Sequence, residues 1–155
     1  MKYLSYQKRD ALKNYFPLPN GIFSLGLSVG EIAVYAYLLK CENRMTYSCH
    51  PSYKNIADSL NICSNSVRKY VAGLEDKHLI STEPTTVTLK NGKKRNGNLL
   101  YTIRPIEEAV TYHYEQQMIR LDGEKHRQTA MAKLAEYDRK HSKMTVETPS
   151  SKEAG

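Results

Sequence analysis

Cysteine is scarce and badly placed for cross-linking: three residues, Cys41, Cys49 and Cys63, odd in number and irregular in spacing. Such a set argues against a disulfide framework and fits a reducing compartment. Paired C-x2-C spacing is missing too, so although Cys49 adjoins His50 and Cys63 follows, no zinc site is expected. No apolar run approaches bilayer-spanning length, and the opening MKYLSYQKRD puts charge and tyrosine where a signal peptide needs an apolar core. A cytoplasmic protein without a membrane partner is expected. Also missing are a glycine-rich phosphate loop, paired carboxylates in a catalytic setting, and a Ser, His, Asp order resembling a hydrolase. No catalytic residue, metal or cofactor is expected, and the chain does not read as an enzyme.

What the sequence does have is positive charge. Lys and Arg outnumber Asp and Glu by 23 to 16 over 155 residues, 40% of them apolar, enough for one domain with a core plus appendages. Between His50 and Arg104 stand nine basic and four acidic residues, a local net of +5. The excess favours a polyanionic partner, nucleic acid before membrane.

That basic segment contains the most informative stretch, residues 52–80, SYKNIADSLNICSNSVRKYVAGLEDKHLI. Ile56, Ala57 and Leu60, then Val67, Tyr70, Val71 and Leu74, give each of two short helices one buried face. Helices joined so closely cross steeply, which requires a small residue at the crossing and one tolerant of left-handed geometry in the turn. Ala57 and Asn61 fill these places, and Ser52 and Ser64 stand where N-caps belong. The second helix then turns Asn65, Ser66, Arg68, Lys69 and Ala72 outward. Asn suits adenine, Arg suits guanine, and Ser and Lys suit phosphates or either base, so the face is equipped for a major groove. A solvated basic helix face is the plainer reading of Arg68 and Lys69 taken alone.

The motifs PSYKNIADSL, SVRKYVAGLEDKHLI, TEPTTVT and KNGKKRNGNLLYTI resemble the winged helix-turn-helix domains of Firmicute plasmids, phages and integrated mobile elements, replication initiators among them. The resemblance implies a DNA-binding protein acting as a transcriptional regulator or in replication. It departs at His78, where the family's second helix usually ends in glycine, which leaves the helix end open by a residue or two.

Around this centre the chain divides into an N-terminal arm at 1–20, a DNA-binding domain at 21–104, a helical extension at 105–143 and a disordered tail at 144–155. The arm, with Tyr3, Leu4, Tyr6, Leu12, Tyr15 and Phe16 among charges, either touches DNA or straps the core. Pro17 and Pro19 enforce extension, and Ile22, Phe23 and Leu25 read as a short edge strand or a covering loop. Residues 28–43 form a scaffold helix opened by a Ser28/Glu31 capping box, with Ile32, Tyr35, Ala36 and Leu39 on one face. Residues 44–51 read as a loop, His50 being surface or cap. Two strands, residues 85–89 and 99–103, flank a basic tip at 90–98 with two Asn-Gly pairs. In this wing Val87 and Leu89 face Leu99, Tyr101 and Ile103 toward the core, and Lys90, Lys93, Lys94 and Arg95 meet phosphates, or Arg95 enters the minor groove.

Past Pro105 a helix carries one stripe of Ile106, Val110, Tyr114, Met118 and Leu121 and a second side of Ala109, Tyr112 and Ile119. The second side packs within the monomer or against a second copy. Asp122-Gly123 reads as a break or kink, after which Met131, Leu134 and Tyr137 make a thin apolar edge. The expected fold is mainly α with a small β-hairpin, α+β, a winged helix-turn-helix with a C-terminal helical extension. Its candidate DNA contacts are Ser52, Tyr53, Ser64, Asn65, Ser66, Arg68, Lys69, Lys90, Lys93, Lys94 and Arg95. Double-stranded DNA is the expected partner, with homodimerisation through the C-terminal helix. The alternative is a protein-interaction module of a replication or partition complex.

Overall fold

The scaffold helix is fixed at its start by the capping box. Ser28 Oγ accepts from the Glu31 amide at 3.3 Å and Glu31 Oε2 accepts from the Ser28 amide at 2.9 Å, opening α1 at Val29–Cys41. The computed structural model describes residues 14–144, so the expectations for residues 1–13 and for the tail beyond 144 lie outside the described residues. The chain forms two units, Met1–His113 and Tyr114–Gly155.

In α1 the buried stripe is Val34, Tyr35, Leu38 and Leu39, with Ile32 and Ala36 half-buried at its margin. The expected face was thus rotated by part of a turn. Glu31, which the capping box holds at the start of this face, is 9% exposed and receives Lys77 Nζ at 2.7 Å. Lys77 is the C-cap of the helix at Ser64–Asp76, and a partly buried ion pair therefore links that helix to α1.

The pair α2, Tyr53–Leu60, and α3, Ser64–Asp76, meets at the predicted turn. Ser52 caps α2 by accepting the Asn55 amide at 3.1 Å. Asn61 is left-handed, φ 56° and ψ 47°, and the Ile62 amide donates to Ala57 O at 3.0 Å. The second cap differs from expectation: Cys63, not Ser64, is the N-cap of α3, and Ser64 is the first helical residue. The Cys63 backbone is already extended, φ −82° and ψ 155°, while its thiol shares a hydrogen bond with Ser66 Oγ at 3.1 Å.

His78 settles the end of α3. It is left-handed, φ 62°, its amide donates to Glu75 O and the Leu79 amide donates to Leu74 O, both at 3.0 Å. These are the two hydrogen bonds of a Schellman motif, with the fully buried Leu74 and Leu79 as its apolar clasp. A histidine in this conformation costs energy that glycine would not. Its ring stacks on Tyr112 with centroids 4.2 Å apart, a contact glycine could not make.

Two glycines let α1 and α3 approach closely, each accepting a side chain from the other helix. A Cβ on Gly30 would lie 2.1 Å from the Tyr70 ring, and one on Gly73 would lie 2.3 Å from Glu31 Oε1. The core of Ile22, Leu25, Val34, Tyr35, Leu38, Ile56, Val67, Leu74, Leu79, Ile80 and Tyr101 fills the space between these helices and the sheet.

Three strands make that sheet in the order β1-β5-β2: β1 at Ser48–Cys49, β2 at Ile80–Glu83 and β5 at Leu100–Ile103, all antiparallel. β1 falls in the segment expected to be a loop. It is too short to show alternation and is held by its neighbours, Ser48 opposite Thr102 and Cys49 opposite Tyr101. Of the two readings for residues 22–25, an edge strand or a covering loop, the strand does not form: the segment holds a 3-10 turn, Asn20–Ser24, that buries Ile22 and leaves Phe23 70% exposed. Such a turn closes its own hydrogen bonds and needs no free sheet edge.

The wing also departs from expectation. β3, Thr86–Thr88, pairs not with residues 99–103 but with β4, Lys94–Asn96, in a separate two-stranded sheet, Val87 opposite Arg95 and Thr88 opposite Lys94. Val87 and Leu89 accordingly stay 52% and 43% exposed rather than facing the core. Residues 85–89 could pair with either of two segments, and the tight turn at 90–93, closed by Leu89 N to Lys93 O at 2.8 Å, selects the nearer one.

Helix α4, Ile106–Met144, runs without a break through Asp122-Gly123. One helical glycine costs about 1 kcal/mol relative to alanine and keeps its amide donor, so it does not stop a helix of this length. Glu107 and Glu108 occupy the first turn, and Ile106, Ala109 and Val110 pack on the core. The whole is a winged helix-turn-helix with a C-terminal helix.

Candidate nucleic-acid interface

The sequence puts apolar residues on one side of α3 and short polar or basic ones on the other, and burial follows that division. Val67, Val71 and Leu74 are buried, whereas Ser64, Asn65, Arg68, Lys69 and Ala72 are exposed and Ser66 is half-buried beside Cys63. The outward set keeps the donors and acceptors that base edges require. Arg68 extends over the Tyr53 ring, its guanidinium carbon 5.7 Å from the ring centroid. Stacking of this kind limits the rotamers of Arg68 and gives Tyr53 a supporting role between α2 and α3. Tyr53 is itself partly buried against the core. Ser52 is committed as a cap through one lone pair, which leaves its hydroxyl proton for an external acceptor.

In the wing Lys90 and Lys93 flank the tip, where Gly92 has φ 79° and Asn91 Oδ1 accepts the Lys93 amide at 3.1 Å. Lys94 and Arg95 lie within β4 rather than on the tip, and all of β4 is exposed. Adjacent strand residues point to opposite faces, so Lys94 and Arg95 serve different sides of the hairpin. The wing's base is tied to the loop before α2: Asn98 Nδ2 donates to His50 O at 3.2 Å, and Thr85 Oγ1 donates to Asn98 O. Thr82 bonds Glu75 Oε1 through its hydroxyl at 2.9 Å, joining β2 to the last turn of α3. These positioning residues, Asn98, Thr82 and Glu75, escaped sequence reasoning, because their polar side chains carry no periodic signal. Lys54, exposed in the first turn of α2, adds a cation that was not foreseen.

The three thiols are free. Burial pushes Cys49 up to about 12, with Cys41 and Glu42 adding to the shift, whereas hydrogen bonds from Ser66 lower Cys63 at the exposed start of α3. Among the described residues no group of three or more His, Cys, Asp or Glu side chains could hold a metal ion, and no helix is long and apolar enough to cross a membrane.

Residues 25–80 match a family model described as a helix-turn-helix domain. Among solved structures it is similar to a possible transcriptional regulator from Methanosarcina mazei Go1, at 18% identity and TM-score 0.44, over 66% of this chain and 79% of the other. It is also similar to the YusO protein of Bacillus subtilis, at 19% identity and TM-score 0.35, over 75% of this chain and 79% of that one. The search of curated proteins finds no match.

Proposed function

We propose that the protein binds double-stranded DNA, reading sequence with the outward face of α3 and holding the backbone with the wing, and that it acts as a transcriptional regulator. The observation that carries this reading is the exposed set Asn65, Arg68, Lys69 on a helix whose opposite side is fully committed to the core. The outer residues are not needed to bury this helix, and their chemistry is that of base-edge and phosphate contact. Flanking it, Lys90, Lys93, Lys94 and Arg95 supply exposed cations that suit phosphates. The role is one of binding, without catalysis. A setting on a mobile element, where the protein would control transcription or assist replication, rests on the resemblance of the quoted motifs alone.

Selection from a random-sequence duplex library tests the reading. Enrichment of a common motif, bound saturably and lost when Asn65, Arg68 and Lys69 are all replaced by Ala, is the expected result. Retention of no duplex, together with stable co-purification of another protein, would replace it with the interaction-module reading.

A further inference from the structure

The second unit carries an exposed face of its own, outside the residues proposed to meet DNA. Along α4, Ile119, Gly123, His126, Ala130, Leu134 and Tyr137 follow one another at steps of 4, 3, 4, 4 and 3. This is an eleven-residue repeat: 119 returns at 130, 123 at 134 and 126 at 137. At 3.67 residues per turn the six residues stay on one line of the helix over about 27 Å. All six are exposed, Leu134 at 66%. The expected dimer face included Tyr112, but Tyr112 stacks on His78 within the first unit and is not part of this line.

We infer that this line is the seam of an antiparallel homodimer, in which α4 of one copy pairs with α4 of a second. Two features of the sequence choose that occupant and that direction. The first is shape. Antiparallel pairing sets Leu134 against the partner's Gly123, His126 against the partner's Ala130 and Ile119 against the partner's Tyr137, all within one residue of a single register. Large side chains thereby meet small ones across the middle of the seam, whereas parallel pairing would set Gly123 on Gly123 and Ala130 on Ala130 and leave gaps.

The second is charge. One flank of the line carries Glu115 and Asp122 in its first half and Lys133 and Lys140 in its second. Reversal of direction in the same register brings Asp122 to the partner's Lys133 and Glu115 to the partner's Lys140, each pair occurring twice by symmetry. A parallel pair would instead turn this flank toward the partner's opposite flank, and neither of these pairings would form. Lys140 also forms an exposed pair with Glu136 at 2.9 Å within its own helix, a contact weak enough to be shared. Like charges meet where Arg127 approaches its own copy near the dyad, and Glu124, one turn back, offsets them. The inference is independent of DNA binding and stands or falls without it.

Sedimentation of the full chain is expected to show a reversible monomer–dimer equilibrium. Leu134→Glu should abolish the dimer while leaving the melting transition intact, because the residue touches no core. Direction is tested by reversing charges. Asp122→Lys alone and Lys133→Asp alone should each raise the dissociation constant about three- to tenfold, and the two together should restore it, since each new Lys then faces a new Asp. Oxidative cross-linking of the full chain with Cys41 and Cys63 changed to Ser gives a second readout. A mixture of Gly123→Cys and Leu134→Cys chains should cross-link, and Leu134→Cys alone should not. A wild type monomeric at near-millimolar concentration, a double charge reversal no tighter than either single one, or self-cross-linking of Leu134→Cys would each overturn the proposal.

Discussion

Gly73 leaves room at the crossing of α1 and α3 for a side chain of the other helix. The position faces the buried carboxylate of Glu31, which itself binds Ser28 and Lys77, so an added methyl would displace a group with two partners. Gly73→Ala is expected to destabilise the protein by about 1–3 kcal/mol in denaturant titration, despite its better helix propensity. A gain in stability would show that Glu31 moves aside at little cost. Cys49 makes a pH prediction. Its thiol is held protonated to about 12 by burial, from an ordinary value of 9.0. Above pH 9 the unfolded chain loses this proton while the folded one keeps it, so the folded state is favoured less as pH rises from about 9 toward 12. Tyr35, pushed up to about 12 by burial and by Glu42, adds to the loss from its ordinary value of 10.0 upward. Denaturation midpoints measured between pH 8 and 11 should therefore fall, and Cys49→Ala should flatten the part that begins near pH 9.

At the scale of elements the reading helix and the wing should fail differently. Arg68→Ala removes a contact expected at a base edge, worth about 1–3 kcal/mol of discrimination at one position. Replacing Lys93, Lys94 and Arg95 together should lower specific and nonspecific affinity by similar factors, because phosphates carry no direct sequence information. As Lys94 and Arg95 point to opposite faces of β4, the single alanine variants should be unequal, one carrying most of the loss. Anisotropy titrations on selected and scrambled duplexes decide the matter, and loss of discrimination in the wing variant with its retention in Arg68→Ala would reverse the two roles. The same contrast of local with nonlocal explains what could be read from sequence. Ser28 with Glu31, Ser52 and Asn61 act on neighbours within four residues, and each stands where the pattern placed it. β1 and the pairing of β3 depend on partners far along the chain or on a choice between two segments, which alternation cannot decide. Of the break or kink expected at Asp122-Gly123 the break does not occur, because one small glycine penalty is outweighed by the helix formers on either side.

For the whole molecule, the electrostatic term sets how binding responds to salt. If α3 and the wing together neutralise about five phosphates per subunit, the plot of log affinity against log salt should slope about −4 to −5. A slope near zero would remove the wing from the interface. The outer residues of the candidate interface were legible as chemistry because exposed Asn, Arg and Lys on a short helix have few other uses. The residues that aim them, Asn98, Thr82 and Glu75, became visible only when the chain was folded.

The paired sockets at Gly30 and Gly73 have a further result. With Tyr70 seated over one helix and Glu31 over the other, α3 can neither slide along α1 nor roll on it without a clash, so its stance is keyed like a bolt in a lock. If α3 reads DNA as proposed, a helix held this way cannot change its preference by shifting, and new preferences are expected from exchange of Asn65, Arg68 and Lys69 themselves. The outward face is then a detachable cassette: transplanted into another scaffold with the same two sockets, it should carry its DNA preference with it.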